Sequence, residues 1–243
     1  MNRITTLYSS TIGKKFIAAV TGLILFGFLA GHVAGNLKVF TGSTEAGVPH
    51  IDEYGQFLKV AGAPFLPAMV GLWIARLVLL GSVILHIVVV VQLAFRNLEA
   101  RPVGYVRSKK AASSLAALWM MFSGSLILFF IVFHLLHFTV GVLPIGEFKH
   151  GAIYENLYSS FRNPLISLFY VLVMGCLGFH LYHGVWSLFQ TLGIDNPDRN
   201  KALRMFAIIA TIGIVVGFAL VPLSFMTGMM PEPTAYDPAL LGH

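Results

Sequence analysis

The chain alternates between long runs of apolar residues and short polar segments. Five of the runs are long enough to cross a bilayer, which takes about 20 apolar residues in an α-helix. They are too long for the strands of a membrane barrel and do not alternate polar with apolar positions. The pattern therefore predicts an all-α integral membrane bundle of five transmembrane helices, in one domain over residues 1–243. The predicted spans cover about 15–38, 67–95, 113–142, 164–193 and 203–228.

The first apolar run follows Lys14 and Lys15, as the core of a secretory signal peptide would. The run continues to Leu37, however, and no small-residue cleavage site follows it. We therefore expect a retained span. The connection from this span to the next is the longest, and we expect a short amphipathic helix within it.

Composition agrees with a membrane protein. Hydrophobic residues make up 57% of the chain and charged residues 11%, with a mean hydropathy of +0.81. Charged residues account for about 25% of a typical soluble domain. The net charge of +6 does not indicate a nucleic-acid partner, because the basic residues occupy short segments between apolar runs.

Lysine and arginine are divided unequally between the two ends of the predicted bundle. The positive-inside rule therefore predicts a cytoplasmic N-terminus and a C-terminus outside. The basic-rich side carries Arg3, Lys14, Lys15, Arg96, Arg101, Arg107, Lys109, Lys110, Arg199, Lys201 and Arg204. The opposite side carries Lys38, Lys59, Lys149 and Arg162.

Six of the nine histidines lie within predicted spans. Ionisable side chains are costly in a bilayer and usually functional. A hydrogen bond to a neighbouring helix would explain any one of them, but it explains six on four spans poorly. Aspartate and glutamate are absent from the spans, which disfavours a carboxylate-based ion pathway. The six are His32, His86, His134, His137, His180 and His183.

Heme explains this pattern best. An iron with two axial imidazoles is coordinatively closed, which suits electron transfer. No C-x-x-C-H motif occurs, so covalent attachment is excluded. The single cysteine, Cys176, cannot supply the ligands of an iron–sulfur cluster, so any clusters lie on partner chains. Small residues that leave room for a porphyrin adjoin three histidines: Gly31 and Gly35 for His32, Ser82 for His86, and Cys176 and Gly184 for His180.

Four short motifs on consecutive spans resemble one family. From about Tyr8 to Gly228, the chain resembles the diheme cytochrome b membrane subunit of succinate:menaquinone oxidoreductases (succinate dehydrogenases) and related fumarate reductases. The motifs are Gly31-His32, Ile84-Leu85-His86, Ser123-Gly124 followed ten residues later by His134, and His180 followed by Gly184-Val185-Trp186-Ser187.

The resemblance implies a membrane anchor with two b hemes that passes electrons to menaquinone or another quinone. It implies a flavoprotein and an iron–sulfur protein docked on the cytoplasmic face of a bacterial inner membrane. Succinate would be oxidised on a partner subunit, with no succinate chemistry on this chain. It also implies an acidic residue near the outer heme and the quinone, for which we select Glu53 in the outer loop.

Helical periodicity leaves two choices of ligand open. Residues three apart lie on nearly the same helix face, so periodicity cannot separate His134 from His137, or His180 from His183. The spacings of the family select His134 and His180.

Depth along the spans predicts which histidines pair. With a rise of about 1.5 Å per residue, His32 and His134 lie about 9 and 12 Å from the outer ends of their spans. His86 and His180, on spans of opposite direction, lie about 28 and 24 Å from the starts of theirs, in the cytoplasmic half. We therefore predict an outer heme on the first pair and an inner heme on the second. Arg76 is predicted to bind a propionate of the outer heme, since an unpaired arginine at that depth is costly.

Two alternatives remain open on the sequence. One is a cytochrome b subunit of another respiratory dehydrogenase, of the hydrogenase or formate dehydrogenase type. The other is a histidine-lined metal or proton transporter, although zinc and copper sites usually add carboxylate, methionine or cysteine ligands. An optical spectrum separates cytochrome from transporter, and co-purification with a covalent-flavin protein separates the first alternative from a succinate dehydrogenase.

Overall fold

The structure, a computed structural model, describes residues 8–100, 112–143 and 145–234, with the backbone alone over 112–118. A 3-10 segment, Leu37–Thr41, follows directly on the helix Thr11–Asn36. A π-helical turn, Leu136–Val140, follows directly on the helix Ala112–Leu135. No β-strand occurs in the described residues. The helices are α1 Thr11–Asn36, α2 His50–Lys59, α3 Val70–Glu99, α4 Ala112–Leu135, α5 Ile153–Phe161, α6 Pro164–Thr191 and α7 Asn200–Met226.

Five helices in the described part of the chain, α1, α3, α4, α6 and α7, are long and apolar enough to cross a bilayer. The predicted all-α five-helix membrane architecture is thereby confirmed. Helix α1 begins before the predicted Lys15, because the Ser10 hydroxyl accepts a hydrogen bond from the backbone N–H of Gly13 at 2.9 Å. Helix α3 begins after the predicted Pro67, because Met69 lies in the left-handed region with φ of 70°.

The bundle is built around α1, α6 and α7. Helix α6 packs along α7 and against α1, while α3 packs on α1 and α4 packs on α6. Large apolar side chains cover the outward surface, such as Leu77, 62% exposed, and Leu172, 71% exposed, as a lipid-facing surface requires. The centre buries Val33, Val173, Met174, Leu177, Leu181 and Ile214.

Helices α2 and α5 and the 3-10 segment close one end of the bundle, which we call the cap end. Helix α2 confirms the expected short amphipathic helix: it buries Ile51 and Asp52 and exposes Glu53 and Phe57. Helix α5, which the sequence did not predict, packs on α2, α6 and α7. The shared core of the cap end is formed by Val39, Ile51, Tyr154, Leu157, Phe161, Tyr170, Val221 and Phe225.

A buried carboxylate ties the cap end together. Asp52 is 1% exposed, and its Oδ1 accepts a hydrogen bond from the backbone N–H of Tyr154 at 2.9 Å. Ala152 at the N-cap of α5 makes no side-chain cap bond, so Asp52 satisfies the first turn of α5 from another helix. The Tyr154 hydroxyl donates to the carbonyl of Pro231 at 2.9 Å. Burial, and secondarily Tyr158, raises the pKa of Tyr154, which keeps this donor protonated.

The opposite end, here the basic end, contains the N-termini of α1 and α7 and the C-termini of α3 and α6. Lys14 of α1 is buried there and donates to the side-chain oxygen of Gln92 of α3. Assignment of this end to the cytoplasm stays a prediction. Its described cations are Lys14, Lys15, Arg96, Arg199, Lys201 and Arg204. Arg3, Arg101, Arg107, Lys109 and Lys110 lie outside the described residues.

We expect Asp52→Ala to destabilise the protein by about 1–3 kcal/mol, because it leaves a buried backbone N–H without its acceptor. Asp52→Asn keeps a side-chain oxygen and should lose less. The measurement is the thermal unfolding of the detergent-solubilised protein. Exposed Glu53 provides the control, since Glu53→Ala should change stability by less than about 0.5 kcal/mol. Equal effects of Asp52→Ala and Glu53→Ala would contradict a capping role.

Candidate functional site

The structure brings His32 of α1 and His134 of α4 together near the cap end. Their ring centroids are 6.0 Å apart, with the ring planes at 75°. Aromatic rings flank both: Phe28 stacks on His32 at 5.2 Å and Phe130 on His134 at 5.7 Å, while Phe218 of α7 lies 5.5 Å from His32. We call these two histidines the cap-end pair. Each histidine lies in the last third of its helix. Because α1 and α4 run in the same direction, both histidines lie toward the same end of the bundle.

His86 of α3 and His180 of α6 are the other two predicted ligands, here called the basic-end pair. Each lies in the half of its helix that leads to the basic end. Each ring lies against a glycine of the adjacent helix. A Cβ atom built on Gly22 of α1 would lie 3.5 Å from Cε1 of His86, and one built on Gly124 of α4 would lie 3.4 Å from Cε1 of His180. A larger residue at either position would therefore crowd the imidazole.

A buried hydroxyl next to each of these glycines contacts the same imidazole. Thr21 Oγ1 is 3.0 Å from Nδ1 of His86, and Ser123 Oγ is 3.2 Å from Nδ1 of His180. Both hydroxyl residues are buried. The two sites of the basic-end pair are therefore built alike, although they use different helices.

His137 has a different environment from the paired histidines. It is 3% exposed, with Nδ1 2.9 Å from the Tyr170 hydroxyl and Nε2 3.0 Å from Ser160 Oγ. Both ring nitrogens are thus occupied by hydrogen bonds, as expected for a structural histidine. The Tyr170 hydroxyl is also 3.5 Å from Nδ1 of His134, which links this network to the cap-end pair. The π-helical turn orients His137 toward α5 and α6.

The most extensive helix contacts do not join the helices that carry the two members of each pair. Extensive contacts join α1 with α3 and α4 with α6. The members of the cap-end pair lie on α1 and α4, and those of the basic-end pair on α3 and α6. In the described residues, neither of these two helix combinations is extensively packed. A heme with an imidazole on each face would take one histidine from each of two helices. In the same residues, no group of three or more His, Cys, Asp or Glu side chains is gathered as for a metal ion.

Among the small residues that adjoin the histidines in sequence, Gly35 and Gly184 have no imidazole among the nearest atoms that a built Cβ would meet. A Cβ built on Gly35 would lie 2.6 Å from Cε1 of Tyr54, so this glycine allows α2 to approach α1. Cβ atoms on Gly31 and Gly184 would meet nothing within 4 Å. The glycines that do adjoin imidazoles, Gly22 and Gly124, lie on the neighbouring helices, so their contact with the rings arises from tertiary packing.

The two remaining predicted site residues lie on the surface. Arg76 is exposed on α3, with its guanidinium carbon 5.0 Å from the ring centroid of Trp73. Glu53 is exposed on α2, and the buried carboxylate beside it belongs to Asp52. Their assignments to a heme propionate and to the quinone site stay predictions.

Thr21, Ser160 and Tyr170 are polar partners of the histidines that the sequence analysis did not identify. Thr21 had a detectable signal, because Thr21-Gly22 repeats the hydroxyl–glycine pattern of Ser123-Gly124. Ser160 and Tyr170 had none, since they reach His137 from separate helices.

No protein-family model, curated protein or solved structure matches the chain. The two histidine pairs are therefore the basis for assigning a function.

We expect His137→Phe to lower the unfolding temperature, because the substitution removes two hydrogen bonds. It should retain the hemes that the sequence predicts, because His137 is not among their predicted ligands. A loss of about 1–3 kcal/mol is typical when buried polar partners are left unsatisfied. Heme per chain and thermal unfolding are measured together, with exposed His150→Phe as the control. Loss of one heme in His137→Phe would make His137 the ligand in place of His134.

Proposed function

We propose that this chain is the membrane anchor and diheme cytochrome b subunit of a succinate:quinone oxidoreductase. It passes electrons from an iron–sulfur partner through two b hemes to a quinone, with menaquinone as the expected acceptor. The enzyme reduces quinone at this subunit, and succinate is oxidised elsewhere in the complex. The protein is expected in the inner membrane of a bacterium.

One observation carries the proposal: the four histidines lie at two depths of one bundle, two toward each end. The cap-end rings are 6.0 Å apart, and His86 and His180 each lie in the half of their helix that leads to the basic end. Two axial imidazoles are what a coordinatively closed heme iron requires. Two hemes in succession would carry electrons across the bilayer, whereas a single heme would lie near only one of its two surfaces.

The residues of this chain would hold each heme, exclude water from it and keep its axial positions filled. Bound heme supplies the reversible one-electron chemistry of iron. Phe28, Phe130 and Phe218 surround the cap-end pair with apolar rings. Gly22 and Gly124 keep the space beside the basic-end imidazoles clear. Such an environment favours electron transfer over ligand exchange at the iron.

The basic end is the proposed docking face for the flavoprotein and the iron–sulfur protein. Arg199, Lys201 and Arg204 lie at the start of α7 on this end, and Arg96 lies near the end of α3. The basic-end heme would then be the first to receive electrons. Co-purification of a covalent-flavin protein with this chain distinguishes a succinate dehydrogenase from a hydrogenase or formate dehydrogenase of similar design.

Single substitutions of the four histidines test the proposed pairs. His32→Ala and His134→Ala should each perturb one and the same heme component, because they remove ligands of one iron. His86→Ala and His180→Ala should each perturb the other component. The measurement is a potentiometric titration of the purified protein, followed optically, together with the heme content per chain.

His183→Ala is the matched control, since His183 lies one turn from His180 on the same helix. It should retain both heme components. Removal of the same component by His32→Ala and His86→Ala would refute the pairing by depth, and with it the proposed arrangement of the hemes.

We expect Glu53→Gln to slow quinone reduction strongly while both hemes stay bound, because reduction of a quinone takes up protons and this carboxylate would deliver them. The assay follows electron transfer from the hemes to a soluble quinone analogue. Glu45→Gln is the control, because Glu45 is another exposed carboxylate of the same connection. Quinone reduction at the wild-type rate in Glu53→Gln would remove Glu53 from the proposed quinone site.

A further inference from the structure

The basic-end histidines share a hydrogen-bonding arrangement that goes beyond the need to hold an iron. Each presents Nδ1 to a buried hydroxyl of a neighbouring helix, at 3.0 Å for Thr21 and His86 and at 3.2 Å for Ser123 and His180. The hydroxyl residues are 4% and 2% exposed, so water does not compete for these contacts. The same device thus occurs twice, on α1 and on α4.

The direction of these hydrogen bonds follows from the single proton of a hydroxyl. Thr21 Oγ1 donates to the carbonyl of Ile17 at 2.8 Å, one turn earlier in α1. Ser123 Oγ donates to the carbonyl of Trp119 at 2.6 Å, one turn earlier in α4. A hydroxyl that donates to the helix backbone accepts from the imidazole, which favours the tautomer with the ring hydrogen on Nδ1.

The hydrogen bond made by one ring nitrogen decides which ring nitrogen is left to bind a metal. In this tautomer Nε2 carries the lone pair and is the nitrogen free to bind iron.

We propose that Thr21 and Ser123 are positioning residues that fix the Nε2-ligating tautomer of His86 and His180 and lower the reduction potential of the heme between them. The proposal rests on the proposed diheme function. An acceptor on Nδ1–H increases the basicity of the ligating nitrogen. A more basic ligand stabilises ferric iron relative to ferrous iron, so loss of the acceptor should raise the potential.

The cap-end pair lacks this symmetry in the described contacts and serves as an internal reference. His134 faces the Tyr170 hydroxyl at the longer distance of 3.5 Å, and His32 is flanked by the rings of Phe28 and Phe218. Substitutions at Thr21 and Ser123 should therefore leave the cap-end heme unchanged.

The test compares Thr21→Val and Ser123→Ala, which remove the hydroxyl, with Thr21→Ser and Ser123→Thr, which keep it. Each variant is purified with its hemes, and both midpoint potentials, the heme content and the electron paramagnetic resonance spectrum of the ferric hemes are measured. We expect the hydroxyl-free variants to raise the potential of the basic-end heme. A tenfold change in its reduction equilibrium would equal about 59 mV for one electron. Loss of that heme alone in a hydroxyl-free variant, with retention in its hydroxyl-keeping counterpart, would also support the proposal.

Two other results overturn the inference. One is an unchanged basic-end potential and spectrum in both Thr21→Val and Ser123→Ala. The other is an equal change in the hydroxyl-keeping variants, which would trace the effect to side-chain volume. Failure of the proposed function itself is recognised separately, because the wild-type protein would then lack two hemes.

Discussion

A histidine inside a bilayer has no water to satisfy its ring nitrogens, and the interior of this bundle is organised around that constraint. Polar groups in hydrocarbon must find partners within the protein. His86 and His180 direct Nδ1 to hydroxyls of adjacent helices, while His137 has a partner on each ring nitrogen. His86 and His180 differ from His137 in that their described hydrogen bonds involve Nδ1 alone.

Different helices hold the histidines and close the end of the bundle. Helices α1, α6 and α7 form the packed centre, and α3 and α4 each pack on one of them. The cap end adds a second core, in which Asp52 joins α2 to the first turn of α5. The cap end contacts the end of α4 through Ser160 of α5, whose hydroxyl oxygen lies 3.0 Å from Nε2 of His137. His137 belongs to the π-helical turn and shares the Tyr170 hydroxyl with His134 of the cap-end pair. The polar network and the apolar core thus stabilise each other at one end of the protein.

The features that depend on local composition and on helical rise could be predicted from the sequence. The five spans follow from apolar runs alone, and the depth argument anticipated that His32 would lie beside His134. It could not predict that Asp52 would be buried while Glu53 is exposed, because that depends on how α2 docks. It singled out Ser123-Gly124, but it could not show that Gly22 and Gly124 lie against imidazoles, since each glycine is on a helix next to that of the histidine. Such contacts arise from tertiary packing, which periodicity along one helix does not contain.

The central claim is that four histidines of this bundle hold two closed heme centres. Its most direct test is a pyridine hemochrome assay of the purified chain, combined with optical spectra of the reduced protein with and without carbon monoxide. The account predicts two non-covalent protohemes per chain and a reduced spectrum that carbon monoxide does not change, because both axial positions of each iron are filled by imidazole. A chain that binds no heme, or hemes that readily bind carbon monoxide, would contradict it.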